Sequence, residues 1–266
     1  MKRARVPGGE MAYVDEGAGD PIVLVHGTPS SSREWHHIIP TLARHHRVLA
    51  PDHLGFGASD RPSDWRTYSL PWHTANFAAW LDHVAVPAFH LVVHDFGGPI
   101  ALPVALAAPE RLLTLTVIQS WLWDLKAPNM DNVVMRWLYL SANFSARVMV
   151  RLAWGTRRKL TRELHTQFTR QFPNRPSRAG TWGFARSVSR EGPLMDAAAR
   201  DLDRLAHVPA LLVWGKADRM LTPAHLTRWR RHFPLADILE MEGVGHFPHL
   251  EAPDEVAAAI ERRIAS

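Results

Sequence analysis

Apolar residues fall along this chain in short runs bounded by glycine, proline and aspartate, and those runs alternate with stretches of helical spacing. Met11–Glu16 reads as a short hairpin-like start, and Ile22–His26 as a buried strand rich in β-branched residues. Gly27-Thr28-Pro29-Ser30 breaks that strand, and Ser32 is placed to cap a helix running through Trp35, Ile38 and Leu42. Arg47–Ala50 predicts the next strand, closed by Pro51-Asp52, and Gly55, Gly57 and Pro62 mark an irregular loop. A helix is expected over Thr74–His83, a strand over Phe89–His94, a helix over Gly98–Ala108 and a strand over Leu112–Ile118.

The rhythm then stops. Residues 122–205 read as helices and loops with no clear strand. It resumes with a strand over Ala210–Trp214, a helix near Ala224–His232, a strand over Ile238–Met241 and a last helix over Pro253–Ile264. Alternating strands and helices argue for an α/β fold with a mostly parallel sheet covered by helices on both faces. The strandless middle argues for an inserted helical cap. The expected division is therefore a first core part at 1–121, a cap at 122–205 and a second core part at 206–266.

Composition narrows the picture. A chain of 266 residues suits one large α/β domain with an insertion or two small domains, and 46% apolar with 21% charged residues is ordinary for a globular protein. The absence of cysteine excludes a disulfide framework, thiolate chemistry and Cys-based metal sites. The basic N-terminus lacks an apolar segment after it, and no run approaches the roughly 18 apolar residues of a membrane span. A soluble, cytoplasmic protein is expected, with no membrane partner. The net charge of +5 conceals an asymmetry: between Arg151 and Arg190 ten Lys/Arg face a single acid, Glu163. The run carries no nucleic-acid-binding signature, so it reads as a solvated helical surface. Oligomeric state is not legible.

The candidate chemistry sits where strands end. Phe89–His94 runs into Asp95, and Phe96-Gly97-Gly98 opens the following helix, the layout of a nucleophile elbow with a carboxylate at its tip. No Gly-x-Ser-x-Gly occurs in the chain. A carboxylate attacking an ester or amide would form a labile anhydride, whereas attack on saturated carbon forms an ordinary ester. That favours carbon–halogen or epoxide opening. Asp218, in Gly215-Lys216-Ala217-Asp218, and His246, in Gly245-His246-Phe247, follow later strands and complete the order nucleophile, acid, base. Asp95 would attack, Asp218 would orient His246, and His246 would activate water. The backbone N–H groups of Thr28 and Phe96 would form the oxyanion hole. A lone Asp after a strand is usually a cap or turn residue; only the set in order distinguishes this one. Of the other histidines, His94 reads as packing and His249 as a decoy. The adjacent pairs His36-His37 and His45-His46 would point apart on a helix, so no metal or organic cofactor is expected.

These segments resemble the α/β-hydrolase superfamily and, within it, the haloalkane dehalogenases. The likeness runs through His26-Gly27-Thr28-Pro29, Ala50–Asp60, His94-Asp95-Phe96-Gly97-Gly98, Trp214–Asp218 and Gly245-His246-Phe247. The first two segments carry the fold; the aspartate elbow is shared by dehalogenases and the related epoxide hydrolases. Family members place the acid after either of two strands, and Gln119-Ser120-Trp121 at the earlier one contains no carboxylate. The resemblance implies release of halide from a small apolar halogenated substrate, with water as the second reactant. The sequence departs from the family where dehalogenases carry Trp after the nucleophile, whose N–H binds halide; here stands Phe96. A common partner donor is Asn after the His-Gly pair; here it is Thr28. Trp137, Trp154 and Trp182 are candidate substitutes from the cap. Epoxide hydrolases protonate the opening oxygen with cap tyrosines, and Tyr139 is the one tyrosine in this cap. A non-enzymatic ligand-binding hydrolase fold is the remaining alternative, and its expected mark would be a broken triad.

Overall fold

The computed structural model describes all 266 residues. Eight strands, β1 (Lys2–Val6), β2 (Gly9–Glu16), β3 (Pro21–Val25), β4 (Arg47–Pro51), β5 (Phe89–Asp95), β6 (Leu112–Ser120), β7 (Ala210–Gly215) and β8 (Asp237–Met241), form one sheet in the order β1-β2-β4-β3-β5-β6-β7-β8. β1 and β2 pair antiparallel, as do β2 and β4; every other neighbour is parallel. This is the mostly parallel α/β sheet expected from the pattern, in the arrangement that the resemblance to α/β-hydrolases implies.

Period-2 alternation distributes the core. Ile22, Leu24, Val48, Val92 and Val213 face α1 (Ile39–Leu42) and, through Val256 and Ile260, the C-terminal helix. Val23, Val25, Leu49, Leu91, Val93 and Leu212 face the opposite side, with Phe77 and Trp80 of α2 (Leu70–His83) and Ile100 of α3 (Gly97–Ala107). Between β6 and β7 the chain makes only helices: α4 (Val133–Ala142), α5 (Val150–Ala153), α6 (Arg162–Thr169), α7 (Ala179–Arg190) and α8 (Gly192–Arg200), with a π-helical turn at Ser145–Met149. α9 (Pro223–His232), α10 (Pro248–Glu251) and α11 (Pro253–Ala265) complete the fold. No helix is long and apolar enough to cross a membrane.

Two local expectations need correction. The helix foreseen from Ser32 to Leu42 is broken into a 3-10 turn, Ser32–Trp35, and α1; the Ser31 side chain caps it, accepting from the Arg33 N–H. Pro40 at the start of α1 has no N–H to continue an earlier helix. Because the helix stops at Trp35, the His36 and His37 rings do not point apart but lie with centroids 3.8 Å apart.

The topology places the site. From β3 the chain moves outward to β4 and then returns to β5 on the other side of β3. The loops after β3 and β5 therefore leave in opposite directions, opening a crevice at the carboxyl ends of those two strands.

Candidate active site

β5 is buried throughout and delivers Asp95 into that crevice at φ +49°, in the left-handed region that strains a residue with a Cβ. The crowding around it explains its glycine neighbours. A Cβ on Gly27 would stand 2.3 Å from the Asp95 Cβ, and one on Gly97 would stand 2.2 Å from the Val25 carbonyl oxygen. The β5–β6 ladder slips in register between His94 and Asp95, and the Ser120 hydroxyl donates to the Asp95 carbonyl at 2.6 Å. Strain at the tip is thus held from both neighbouring strands.

Asp218 and His246 arrive from the loops after β7 and β8. His246 Nδ1 lies 2.7 Å from Asp218 Oδ2. The Met220 backbone N–H donates to Asp218 Oδ1 at 2.7 Å, and the Gln119 amide donates to Oδ2. On its other side, His246 Nε2 lies 3.3 Å from Asp95 Oδ2 in an ion-pair contact without an aligned hydrogen bond. The three residues foreseen as nucleophile, acid and base therefore meet in one place. All are buried, with 6% or less of their surface exposed.

Their electrostatics interlock. Burial alone works against charge on His246, yet the carboxylates of Asp218 and Asp95 outweigh it and raise the imidazole to about 10. Burial likewise opposes ionisation of Asp95 and Asp218, and contact with His246 reverses the balance, holding both below the ordinary carboxylate value. Each of the two carboxylates and the imidazole thus favours the charged form of the other.

The Thr28 backbone N–H donates to Asp95 Oδ1 at 2.8 Å, so this foreseen donor already points at an oxygen of the foreseen nucleophile. Phe96 follows the nucleophile at the start of α3, where backbone N–H groups lack helical partners. Both border a cavity of about 390 Å3 with Asp95 and His246 on its wall; most of its lining is apolar, including Trp121, Met130 and Val150. Tyr139 also borders it, with burial pushing its phenol up to about 12.

The tryptophans foreseen as donors do not join them. Trp137 is 58% exposed, Trp154 gives its N–H to the Arg158 carbonyl at 2.6 Å, and Trp182 is buried against Tyr139 outside the cavity lining. Trp154 instead stacks on Phe247, while the Ala153 carbonyl accepts the His246 backbone N–H at 2.8 Å. The helical insertion therefore braces the base rather than supplying an indole N–H beside Asp95. Trp121 lines the cavity, but its N–H is directed to Met195 Sδ at 3.2 Å.

Sequence reading passed over several supports. Gln119 holds the acid, and Glu251 accepts from the N–H groups of Gly245 and Gly155, tying the base loop to the insertion. His94 reaches the His246 carbonyl through Nε2 at 2.9 Å and Glu34 through Nδ1 at 3.0 Å. Glu34, His94 and His249 are also the one group whose metal-ligating atoms gather, all within 4.8 Å of one another.

Comparison with known proteins accords with this geometry. The α/β-hydrolase-fold family model matches residues 20–253. Haloalkane dehalogenase 2 of Mycobacterium tuberculosis is 31% identical over 96% of this chain and 91% of its own length. A cis-3-alkyl-4-alkyloxetan-2-one decarboxylase of Shewanella oneidensis is 29% identical over 96% of this chain and 85% of its own length. The crystal structure of the haloalkane dehalogenase DatA of Agrobacterium tumefaciens shares the fold, with a TM-score of 0.88 at 24% identity over 99% of this chain and 95% of that one. The chain belongs to the α/β-hydrolase fold family and is an enzyme of its haloalkane dehalogenase-like kind.

Proposed function

We propose that this enzyme hydrolyses small apolar halogenated substrates through a covalent ester on Asp95, with residues 122–205 acting as the cap over the site. The observation that carries the reading is the Asp95–His246–Asp218 array, with Asp95 and His246 on the wall of a mostly apolar cavity. Asp95 Oδ2 attacks the carbon, the carbon–halogen bond breaks, and halide leaves with the bonding electrons. Esterification removes the charge of Asp95, one of the two that hold the proton on His246. The proton can then pass to solvent as the acid equivalent released with the halide, and His246 Nε2 is free to take one from water. The hydroxide so formed adds to the Asp95 carbonyl carbon. The Thr28 and Phe96 N–H groups stabilise the oxyanion, and collapse releases the alcohol and restores the carboxylate.

A second reading follows from the cavity's donors. With Phe96 in place of an N–H donor, a developing halide lacks a contact worth on the order of 2–4 kcal/mol in related charge-stabilising sites. The hydroxyl of Thr28 is buried without a partner, and Tyr139 borders the cavity close enough to feel the charge of Asp95. Hydroxyl donors suit an oxygen leaving group, as in an epoxide or in the oxetanone for which one relative is named. Both readings begin with a carboxylate attack, and intact-protein mass spectrometry of His246→Phe separates them. An alkyl adduct after a bromoalkane supports the first reading. A whole-molecule adduct from an epoxide alone moves the assignment to the second. No adduct from any member of a halide and epoxide panel, in folded protein, overturns both.

A further inference from the structure

Beside His246, the His94 ring is wholly buried between two oxygens. One is the carbonyl of His246, 2.9 Å from Nε2; the other is Glu34 Oε1, 3.0 Å from Nδ1. A backbone carbonyl can only accept, so Nε2 carries a hydrogen. A neutral ring protonated there would present its Nδ1 lone pair to Glu34. Against an ionised carboxylate at 3.0 Å, with both side chains fully buried, two acceptors would face each other without a proton. One further proton must therefore lie between Nδ1 and Glu34. Whether it rests on the ring or on the acid, the pair as a whole is neutral.

We propose that His94 is a positioning residue for the base, its Nε2–H holding the His246 carbonyl in place and Glu34 enforcing that orientation from the other side of the ring. His94 is also covalently adjacent to Asp95, so one buried ring ties the strand that carries the nucleophile to the loop that carries the base. Four other groups face the unit, one of them Phe247 with its ring centroid 5.3 Å from that of His94. His249 packs on His94 with ring centroids 4.5 Å apart, brings Nε2 within 3.8 Å of Glu34 Oε1 without a hydrogen bond at either nitrogen, and is kept neutral by burial. His246 lies with its ring centroid 5.0 Å from that of His94, and Trp35 closes the unit edge-on at 6.2 Å. Two further contacts secure the same loop, the Ala153 carbonyl to the His246 N–H and Glu251 to the Gly245 N–H. The carbonyl of His246 is held by His94.

The inference rests on His246 being the base of ester hydrolysis, so its test needs one arm that requires no turnover. In 15N NMR of the histidine side chains, wild type should show a slowly exchanging Nε2–H on His94 and a second proton shared with Glu34. Glu34→Gln should keep the Nε2–H and leave Nδ1 as an acceptor from the amide. In His94→Phe, the proton between His246 Nδ1 and Asp218 should shift and exchange at least about tenfold faster, and His94→Gln, which restores a donor, should reverse this. A His94 protonated only at Nδ1, or His246 signals unmoved in folded His94→Phe, would overturn the proposal. So would one tightly held zinc ion per chain by elemental analysis, since His94 would then be a metal ligand.

The kinetic arm compares the two half-reactions. His94→Phe should slow hydrolysis of the Asp95 ester about 10- to 100-fold, and the ester should accumulate. Its formation should change less than about threefold, and His94→Gln should recover most of the loss. Equal loss in both steps, or no recovery, would reduce His94 to packing. If even His246→Phe forms no ester, the hydrolytic reading fails while the NMR arm still decides the hydrogen bond.

Discussion

The strand-end crevice and the helical insertion border the same cavity but are specified in different ways. In the crevice, backbone geometry leaves almost no freedom: Asp95 sits at a strained φ, Gly27 and Gly97 admit no Cβ, and Asp218 takes its contacts from a backbone N–H and a buried amide. In the insertion, the cavity wall is made largely of apolar side chains such as Met130, Met149 and Val150, held by packing. Chemistry is thus assigned to the rigid part and fit to the adaptable part. Variants in the two regions should differ accordingly.

The largest effect is expected in the crevice. Asp95→Ala should remove turnover by at least about 10^4-fold while leaving a folded protein, read as product formation against a folded control. Retained turnover would assign the first step elsewhere. Asp218→Asn should cost about 10^3- to 10^4-fold, because the amide can hold the wrong tautomer of His246. A loss smaller than tenfold would mean that another group orients the base.

The pH dependence probes the coupling between charges. In the free enzyme the two carboxylates hold the His246 proton up to about 10, and esterification of Asp95 removes one of them. The rate of ester hydrolysis should therefore rise with pH and level off well below pH 10 in single-turnover measurements. A limb at or above pH 10 would show that Asp95 does not help retain the proton. Stability follows the same group. Its folded value lies above the unfolded one near 6.5, so its contribution is complete below about pH 6.5 and is lost as pH rises through about 10. Urea unfolding should show that decline over this window in wild type and a flatter curve in His246→Gln.

The cavity wall should respond more mildly and more selectively. Phe96→Trp would add an N–H donor beside the nucleophile and should raise bromoalkane turnover about tenfold if halide is the leaving group. Tyr139→Phe should leave that activity within about threefold but suppress epoxide opening about 10^2-fold. The reverse pattern would exchange the two readings. At the far end of the scale, exposed Trp137→Ala should change stability by no more than about 0.5 kcal/mol in denaturant titration, and activity hardly at all.

The same contrast explains what could be read from residue order. Asp95, Asp218 and His246 announced themselves because each follows a strand and lies among the glycines and turns that tight strand exits require. Glu34, His94 and Gln119 did not. Their partners lie 60, 152 and 99 residues away, and no local pattern records such pairings. β1 was missed because only Ala4 and Val6 of its five residues are buried, so it exists as a strand through pairing with β2. The broken helix before α1 turned on Pro40, whose effect was outweighed by the apolar spacing around it. Within the insertion, tryptophans were legible as residues but not as orientations. Trp154 proved to be a brace for Phe247, and only folding decides where an indole N–H points.

The apolar wall of the cavity also bears on how a catalytic cycle ends. In the proposed reaction, exchanging a halogen for a hydroxyl gives the bound molecule a donor and two lone pairs, and on the apolar part of the wall Phe96, Met130 and Val150 offer them no partner. Against that wall the alcohol is a poorer guest than the halogenated molecule it replaces, which favours its partition into water.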